Sequence, residues 1–563
     1  MHAPNYLIRL LHHADRRPEC SAIAFLQRGE TEIKSLSFRE LTEAGGIWAR
    51  RWLDHRPPAE PVLLVYPPGP EFFVALFGCF FAGAIAVPLP VPRPGAALNR
   101  LVQILENTRV GALVSTSPVL EGMRKMRELE LPLQSLPTFR HEELAVGEQV
   151  DAAHLPGVSI DPERPILLQF TSGSTRTPRG VVVNNRCLVA NGELCTESII
   201  CEEAGRLVSW LPHHHDLGLF GGLLYPLLRG MGTVHMSPHA FIQRPIRWLR
   251  AITRYRATVG GGPPFGYELC SRLVTDEMIE DLDLSTWRHV FCGAEPVNSA
   301  PMDRFFSKFA ATGLRRESFS PVYGLAETTV FVAGTNHGTL KPPPPTTTTG
   351  AREPCRLTDS SRQQIRIVDP DTCRPLPPGK CGEIWVHGPS VSPGYYADTP
   401  ITPVEFRART HPDDGHTYFR TGDLGLRQGD WLYVTGRLKD MLILNGVNVH
   451  ASDILGVAGE CDDRLSASAA AVFQETDDVT SDAILLIELP SKRIEEDEQL
   501  RLKTLIRARV LTETGVALDD IRIWPRGTLP RTTSGKVQLN LARQQYGEQL
   551  SDAKSRMLDS SER

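Results

Sequence analysis

The sequence has little excess charge of either sign and no concentrated run of basic residues. Its 61 lysines and arginines stand against 66 aspartates and glutamates, which gives a formal net charge of -5. A nucleic-acid-binding surface needs clustered basic residues to neutralise phosphates, and this sequence offers no such cluster. We therefore expect no nucleic-acid partner.

The eleven cysteines form no C-x-x-C pair and are scattered from Cys20 to Cys461. An odd number of cysteines without metal-ligand spacing predicts free thiols in a reducing compartment. The cytoplasm is the simplest location of that kind.

Export signals and long apolar runs are also lacking. The N-terminal residues have neither the basic start nor the long apolar run of a secretory signal. The most apolar stretch begins at Phe72, but prolines end it too early for a bilayer span, and Glu71 precedes it. This stretch predicts a buried helix followed by a strand, and we expect no stable membrane insertion.

At 563 residues, the chain is long enough for a large multi-layer domain and a smaller one. Short apolar runs alternate with segments that can be helical, such as 97–108 and 245–255, which is typical of α/β proteins with largely parallel sheets. From Gly382 onward, closely spaced strand-like runs indicate antiparallel pairing. We predict an α/β fold with a large domain over residues 1–438 and a small α/β domain over 439–563. The small domain should contain a helix near 497–513 and a strand at IRIW, whereas KPPPPTTTTG at 341–350 predicts a surface loop.

One segment suggests phosphate binding. From Leu167 to Gly180 the sequence reads LLQFTSGSTRTPRG, a short apolar strand followed by hydroxyl, glycine and arginine residues. Glycine lets a backbone approach phosphate closely, so such a loop can surround an anion with N–H and hydroxyl donors. It lacks the G-K-[ST] ending of a P-loop, so it predicts no Walker-type Mg²⁺ site. Taken alone, the segment is also compatible with an ordinary polar surface loop.

Five further motifs accompany this segment. They are FCGAEP at 291–296, PVYGLAETT at 321–329, YFRTGDLG at 418–425, GRLKDMLILNGVN at 436–448 and LPRTTSGK at 529–536. In identity and order they resemble the adenylate-forming superfamily of acyl-CoA synthetases, nonribosomal peptide adenylation domains and luciferases. The segments SWLPHHHDLGLFGG at 209–222 and PPFGYELC at 263–270, with Ala326 in YGLAE, narrow the resemblance to fatty acyl-AMP ligases. The resemblance spans nearly the whole chain and implies a large multi-sheet adenylation domain with a small mobile C-terminal domain.

This resemblance implies ATP and Mg²⁺ as cofactors and assigns nucleotide-binding residues. A phosphate loop would hold the β- and γ-phosphates, while a second set would line the adenine site, with Tyr323 stacking on the base. The loop residues are Thr171, Ser172, Gly173, Ser174, Thr175 and Gly180, and the adenine-site residues are Gly293, Ala294, Glu295, Tyr323 and Gly324.

The same resemblance assigns three charged residues. Glu327 would hold Mg²⁺, a cation that prefers oxygen ligands. Asp423 would accept hydrogen bonds from both ribose hydroxyls, and Arg437 lies in the segment that supports the ribose and the inter-domain linker. Taken singly, each would more often be an ordinary surface ion pair or turn residue.

Lys536 is the main catalytic candidate, because its ammonium group can offset negative charge during in-line attack on the α-phosphate. His215 matches the family histidine that helps place the substrate carboxylate. Lys439 matches the hinge about which the small domain turns between the two half-reactions. The three consecutive histidines from His213 could suggest a metal site, but neighbouring side chains of an extended segment point to opposite faces.

The implied reaction converts a fatty acid and ATP to fatty acyl-AMP and pyrophosphate, then passes the acyl group to the phosphopantetheine arm of a separate acyl carrier protein. Candidates for the acyl pocket are Phe220, Leu224, Phe265 and Tyr267. The alternatives are an acyl-CoA synthetase, an enzyme that activates an aryl or amino acid, and a non-catalytic nucleotide-binding module. Acyl chain length, oligomeric state and pathway are not readable from the sequence.

Two departures from the ligase pattern bear on the acceptor. The interval from Thr328 to Gln364 looks shorter than the segment that is held responsible for the ligases' poor use of coenzyme A, so the sequence leaves the use of coenzyme A open. In addition, Asn448 is followed by VHASDI rather than the frequent aromatic-Pro-x-Asp-Ile-Glu. This region faces the acceptor in relatives, so we expect unusual acceptor recognition.

Overall fold

The computed structural model describes most of the chain. The described residues are 5–55, 61–94, 96–170, 178–199, 202–335, 338, 340, 352–396, 403–444, 447–462, 464–474, 483–489, 495–531 and 537–549. Within them the chain divides into two compact units. The first runs to Thr421 and includes Gly425–Val434, and the second comprises Gly422–Leu424 and the residues from Thr435 onward. The predicted domain boundary between residues 438 and 439 stays a proposal.

The strands up to Arg437 form three sheets. They are β1 (Ser21–Gln27), β2 (Thr31–Ser37), β3 (Pro61–Val65), β4 (Ile85–Leu89), β5 (Ala112–Ser115), β6 (Thr138–Arg140), β7 (Pro165–Phe170), β8 (Gly180–Asn184), β9 (Arg206–Ser209), β10 (Gly232–Met236), β11 (Val259–Gly262), β12 (His289–Cys292), β13 (Phe319–Pro321), β14 (Cys355–Arg356), β15 (Ile365–Val368), β16 (Gly382–Val386), β17 (Phe419–Gln428) and β18 (Trp431–Arg437). Strands β17 and β18 each contribute residues to both units.

The helices of the first unit lie between these strands. They are α1 (Tyr6–Arg16), α2 (Phe38–Leu53), α3 (Pro70–Ala82), α4 (Ala96–Asn107), α5 (Ser117–Arg124), α6 (Glu130–Gln134), α7 (His141–Leu144), α8 (Asn185–Ser198), α9 (Tyr225–Leu228), α10 (Pro238–Gln243), α11 (Ile246–Tyr255), α12 (Pro264–Leu273), α13 (Asp276–Ile279), α14 (Ser299–Lys308) and α15 (Asp359–Gln364). A π-helix, Leu217–Leu224, runs directly into α9.

The two largest sheets are mainly parallel, as predicted. The seven-stranded sheet has the order β13-β12-β11-β9-β10-β1-β2, and only its edge strand β2 is antiparallel to its neighbour. The six-stranded sheet has the order β6-β5-β3-β4-β7-β8, in which β8 is antiparallel to β7. The five-stranded sheet has the order β14-β18-β17-β16-β15, and its β15–β16 pair is antiparallel.

Helix α3 and strand β4 occupy the apolar stretch that begins near Phe72, and both are buried. Pro70 begins the helix, and Gly83 ends it with φ +68°, a left-handed conformation that glycine adopts without strain. Gly78 lies against the indole ring of Trp48, which leaves no room for a side chain and lets α2 and α3 pack closely. Among the described residues, no helix is long and apolar enough to cross a membrane.

The second unit has its own hydrophobic core. Its strands are β19 (Met441–Leu444), β20 (Val447–His450), β21 (Ala470–Gln474), β22 (Ala483–Leu489) and β23 (Asp520–Pro525), and its helices are α16 (Ala451–Gly459) and α17 (Glu496–Thr514). Helix α17 and strand β23 confirm the predicted helix near 497–513 and the predicted strand at IRIW. The proline- and threonine-rich segment 341–350 lies outside the described residues.

Candidate active site

Three predicted site segments follow neighbouring strands of the seven-stranded sheet. Strands β9, β11, β12 and β13 are parallel neighbours, so their carboxyl ends lie at one edge. His215 follows β9, Gly293 follows β12 and Tyr323 follows β13. Open parallel sheets bind ligands outside the carboxyl ends of their strands. The fold therefore places these segments where an α/β enzyme binds its substrates.

The segment Gly293–Glu295 turns sharply after β12. A side chain at Gly293 would come within 2.5 Å of the Val322 carbonyl oxygen, so only glycine allows this approach. Ala294 has φ +69°, a left-handed conformation that is uncommon for alanine. Ala294 is exposed and Glu295 is half-buried, so this segment is open to a ligand.

Tyr323 begins a loop that folds back on itself. Its N–H donates to the Ala333 carbonyl at 2.8 Å, and its own carbonyl accepts from Val332 N–H at 2.9 Å. Gly324 lies against the Val330 carbonyl, where a side chain would collide. Tyr323 is only 9% exposed, and its ring contributes to an apolar cluster. Its stacking on adenine stays a prediction.

Glu327 lies on a 3₁₀ turn, Ala326–Thr328, within this loop. Burial raises the pKa of its carboxyl group, whereas a hydrogen bond from Tyr395 lowers it. The Tyr395 hydroxyl donates to Glu327 Oε1 at 2.9 Å, and the Arg179 guanidinium lies 4.3 Å above the Tyr395 ring. Arg179, Tyr395 and Glu327 thus form one connected cluster with a positive charge at its outer end.

Neither Tyr395 nor Arg179 was among the site residues predicted from the sequence. Arg179 stood inside the quoted phosphate-loop segment, directly before Gly180, so its position could have identified it. Tyr395 lies 68 residues from Glu327, and no local pattern connects the two.

The Glu327 carboxylate fits a Mg²⁺ ligand. Tyr395 engages Oε1 and holds the carboxylate in place, and carboxylate oxygen is the ligand type that Mg²⁺ prefers. Within the part of the chain that the structure describes, no cluster of three or more His, Cys, Asp or Glu side chains could hold a metal by itself. A cation with one carboxylate ligand and several phosphate oxygens matches this arrangement.

His215 lies just before the π-helix. Its carbonyl accepts from Leu219 N–H at 2.7 Å, and Asp216 Oδ1 accepts from Leu217 N–H at 2.7 Å. The neighbouring His213 ring packs against Phe72, with ring centroids 4.1 Å apart, and burial lowers the pKa of His213 to about 3. His213 is therefore neutral at physiological pH, and its role is apolar packing.

The four acyl-pocket candidates lie in or against one hydrophobic cluster. Phe220, Leu224 and Tyr267 are fully buried, and Phe265 packs against the cluster with its ring centroid 5.5 Å from that of Trp210. The Tyr267 hydroxyl donates to the Phe291 carbonyl at 2.5 Å. Their assignment to an acyl pocket stays a prediction.

The predicted phosphate loop connects β7 to β8, which pair as an antiparallel hairpin with Phe170 opposite Gly180. A side chain at Gly180 would meet the Phe170 ring at 3.1 Å, so glycine lets the two strands close together here. Arg100 donates to the Phe170 carbonyl at 3.1 Å and fixes the last described residue before the loop. The predicted loop residues Thr171, Ser172, Gly173, Ser174 and Thr175 lie outside the described residues.

The second unit brings Asp423 and Arg437 together. Arg437 Nε donates to Asp423 Oδ1 at 3.1 Å, and Asp423 is only 6% exposed. Lys439 lies on the 3₁₀ turn Leu438–Asp440, directly after Arg437. His450, part of the unusual VHASDI segment, lies against Gly436 beside this turn. Lys536 lies outside the described residues, so its catalytic role stays a prediction.

Comparison with known proteins identifies the family. The family model for AMP-binding enzymes matches residues 10–396. The chain belongs to the AMP-binding enzyme family. This membership confirms the resemblance drawn from the motifs and the expectation of ATP with Mg²⁺ as cofactors, whereas the individual residue roles remain untested.

Three relatives illustrate the range of AMP-binding enzymes that this chain resembles. It is 32% identical to the medium-chain-fatty-acid–[acyl-carrier-protein] ligase TtuA of Teredinibacter turnerae, over 97% of this chain and 94% of the relative. It is 33% identical to the 4-hydroxyphenylalkanoate adenylyltransferase of Mycobacterium tuberculosis, over 86% of this chain and 82% of the relative. A solved structure from a study of fatty acyl-adenylate ligases of E. coli and L. pneumophila superposes with a TM-score of 0.82 at 28% identity, covering 98% of this chain and 99% of that one.

Proposed function

We propose that this chain activates a fatty acid with ATP to form fatty acyl-AMP and then transfers the acyl group to a pantetheinylated acyl carrier protein. The observation that carries the proposal is the Glu327 carboxylate of an AMP-binding enzyme. The Tyr395 hydroxyl donates to this carboxylate, and the Arg179 guanidinium lies over the Tyr395 ring. The names of the relatives support a carboxylic acid as the substrate and, for TtuA, a carrier protein as the acceptor.

In the first step a carboxylate oxygen of the acid attacks the α-phosphorus of ATP. The new O–P bond forms as the bond to the pyrophosphate oxygen breaks, and pyrophosphate leaves with the electron pair. Glu327 would hold Mg²⁺, which would supply positive charge against the phosphates. His215 would orient the carboxylate, and Lys536 would stabilise the charge that moves onto the α-phosphate.

The remaining nucleotide contacts are proposed as follows. Asp423 accepts from Arg437, and an ionised carboxylate of this kind can also accept from ribose hydroxyls. Gly293 and Gly324 let their turns pack against the Val322 and Val330 carbonyls, and Ala294 and Glu295 would line the adenine. The phosphate-loop residues around Gly180 would hold the departing pyrophosphate.

In the second step the pantetheine sulfur attacks the acyl carbonyl carbon. A C–S bond forms, the C–O bond to AMP breaks, AMP leaves with the electron pair, and the thiol proton passes to water. We propose that residues 439–563 form a small domain that turns about Lys439 between the two steps, which would withdraw Lys536 and admit the thiol. The predicted cytoplasmic location agrees with the ten free cysteines of the described residues.

An arylalkanoic acid is the second candidate substrate, because the mycobacterial adenylyltransferase is about as similar to this chain as TtuA is. Coenzyme A is the second candidate acceptor, since the interval from Thr328 to Gln364 looks short. A non-catalytic module is the third alternative.

A substrate and acceptor panel separates these alternatives. The purified chain is incubated with ATP, Mg²⁺ and a series of fatty, arylalkanoic and amino acids, with either coenzyme A or a pantetheinylated carrier, and products are identified by mass spectrometry. We expect a fatty acid to give acyl-AMP that persists with coenzyme A and disappears with the carrier, and Lys536→Ala to suppress its formation. Rapid acyl-CoA formation, or turnover restricted to another acid class, would overturn the proposal. Nucleotide binding without turnover of any acid would favour the non-catalytic module.

A further inference from the structure

The turn that follows Glu327 has an unfavourable backbone conformation. Thr329 has φ +61° and Val330 has φ +89°, and both residues are buried. Branched side chains in this region clash with their own backbone, so such residues are rare and the conformation is strained. Two successive strained residues persist only where surrounding groups impose the conformation.

Two buried side chains hold this turn. Asn191 Nδ2 donates to the Thr328 carbonyl at 3.0 Å and to the Phe331 carbonyl at 2.7 Å, and Asn191 Oδ1 accepts from Phe331 N–H at 3.0 Å. The Tyr225 hydroxyl shares its single proton between Asn191 Oδ1, at 2.5 Å, and the Thr329 carbonyl. Four backbone groups of the turn thus depend on Asn191 and Tyr225.

The arrangement uses the full hydrogen-bonding capacity of the Asn191 amide, which is 0% exposed. Such a network specifies one conformation, because a buried polar group that loses its partner is costly. Asn191 comes from α8 and Tyr225 begins α9, so two helices fix the backbone on the C-terminal side of Glu327. The Gly324 contact with Val330 fixes the same turn from its N-terminal side.

We propose that Asn191 and Tyr225 are positioning residues that hold Glu327 in the orientation needed to bind Mg²⁺-ATP. The inference rests on the proposed function, in which Glu327 is the Mg²⁺ ligand. A carboxylate on a turn that is free to relax would lose the direction of its oxygens, even though its charge and its Tyr395 partner remain. A misdirected metal ligand binds its metal more weakly, and a misplaced reacting group slows the transfer reaction.

The chain offers a matched pair of variants. Tyr225→Phe removes the hydroxyl that reaches the turn. Tyr6→Phe removes another buried hydroxyl of the same hydrophobic cluster, one that donates to the Leu224 carbonyl at 2.7 Å, directly before Tyr225. Both variants lose a buried tyrosine hydroxyl that donates to a backbone carbonyl, and Tyr225→Phe also loses the bond to Asn191 Oδ1, so both should lower the melting temperature by at most a few degrees, Tyr225→Phe by somewhat more. Only Tyr225→Phe should affect the Mg²⁺ dependence of nucleotide binding.

The test measures ATP binding by calorimetry at increasing Mg²⁺ concentration, without any acid, in the full-length chain. We expect Tyr225→Phe to raise the half-saturating Mg²⁺ concentration about tenfold, while Tyr6→Phe stays within about twofold of the parent. Glu327→Gln should raise it further, and adding Tyr225→Phe to Glu327→Gln should have no additional effect, because both act through the same carboxylate.

Equal shifts in Tyr225→Phe and Tyr6→Phe would show a purely structural role and overturn the inference. A full extra effect of Tyr225→Phe in the Glu327→Gln background would overturn it too. If Glu327→Gln itself leaves the Mg²⁺ dependence unchanged, the assignment of Glu327 in the proposed function is wrong, and the inference falls with it. If Glu327→Gln has its effect and Tyr225→Phe has none, only the inference is wrong.

Discussion

Replacing Glu488 with glutamine is expected to slow adenylation and to spare the transfer step. Glu488 lies in β22, the central strand of the three-stranded sheet of the second unit, and is only 4% exposed. Its Oε1 accepts from Leu529 N–H at 2.7 Å, and its Oε2 accepts from Arg531 Nη2 at 3.0 Å. A buried ion pair of this kind adds little net stability, because desolvation offsets most of the attraction. Leu529 and Arg531, the partners of Glu488, precede Lys536 in the sequence by only a few residues. We therefore expect the ion pair to help position Lys536 rather than to stabilise the fold.

The described residues before the segment 532–536 form hydrogen bonds to Glu488 in β22, and the described residues after it pair with those before it. Arg531 pairs with Val537 in an antiparallel bridge, and Gln538 N–H donates to the Pro530 carbonyl at 2.8 Å. Arg531 also donates to the Ser468 carbonyl at 2.9 Å. Glu488 therefore anchors the described residues that precede 532–536, the stretch of sequence that contains Lys536.

The magnitude follows from the two hydrogen bonds. A hydrogen bond to a charged group contributes about 1.5–3 kcal/mol and a neutral one about 1 kcal/mol, so the amide should weaken the anchor by ~1–2 kcal/mol. If that loss appears in the positioning of Lys536, adenylation should slow by about tenfold. Lys536→Ala, which removes the ammonium group itself, should slow it about a hundredfold or more.

The assay separates the half-reactions. Pyrophosphate release reports adenylation, and transfer from supplied acyl-AMP to the pantetheinylated carrier reports the second step. Asp520→Asn is the control, because it alters a carboxylate of the same sheet, in β23, whose described partners are Arg522 and the Tyr546 hydroxyl. Equal loss of both half-reactions in Glu488→Gln, or a tenfold slowing of adenylation in Asp520→Asn, would refute the reasoning.

Two further predictions test the first unit. Tyr395→Phe removes the hydroxyl that donates to Glu327, so the Mg²⁺ concentration that half-saturates pyrophosphate release should rise about tenfold, and an unchanged value would contradict the role of Tyr395. His213→Leu should make the fold more stable in acid. The pKa of His213 is near 6.5 in the unfolded chain and about 3 in the folded chain, so only the unfolded state takes up this proton between those values. The parent therefore loses stability as the pH falls from 6.5 towards 3. At pH 5 this loss is ~2 kcal/mol. Urea unfolding at pH 5 and pH 8 should therefore show a smaller pH-dependent loss of stability in the variant, and an equal loss in both proteins would contradict the prediction.

Local patterns in the sequence predicted most of the architecture. The apolar run near Phe72, the α17 segment and the strand β23 were all found, because periodicity and length are properties of consecutive residues. The sequence also indicated largely parallel sheets, but not the antiparallel hairpin of β7 and β8, since pairing direction depends on the loop that joins two strands.

The contacts that shape the site were less accessible to prediction. Motifs identified Glu327, but the turn beside it is held by Asn191, 137 residues from Thr328, and by Tyr225, 104 residues from Thr329. Only the folded chain brings such residues together. Buried asparagine and tyrosine residues carry no local signature that distinguishes a positioning role from ordinary packing.

The π-helix Leu217–Leu224 has a consequence for insertions and deletions. It joins His215 and Asp216 to Tyr225, whose N–H donates to the carbonyl of Phe220, five residues earlier. Removing one residue from this stretch would favour an ordinary α-helix and rotate one end relative to the other by about 100°. His215 and Tyr225 could then not both keep their present directions. Homologous chains that use both His215 and Tyr225 in these roles should vary in residue type along this stretch but should keep its length.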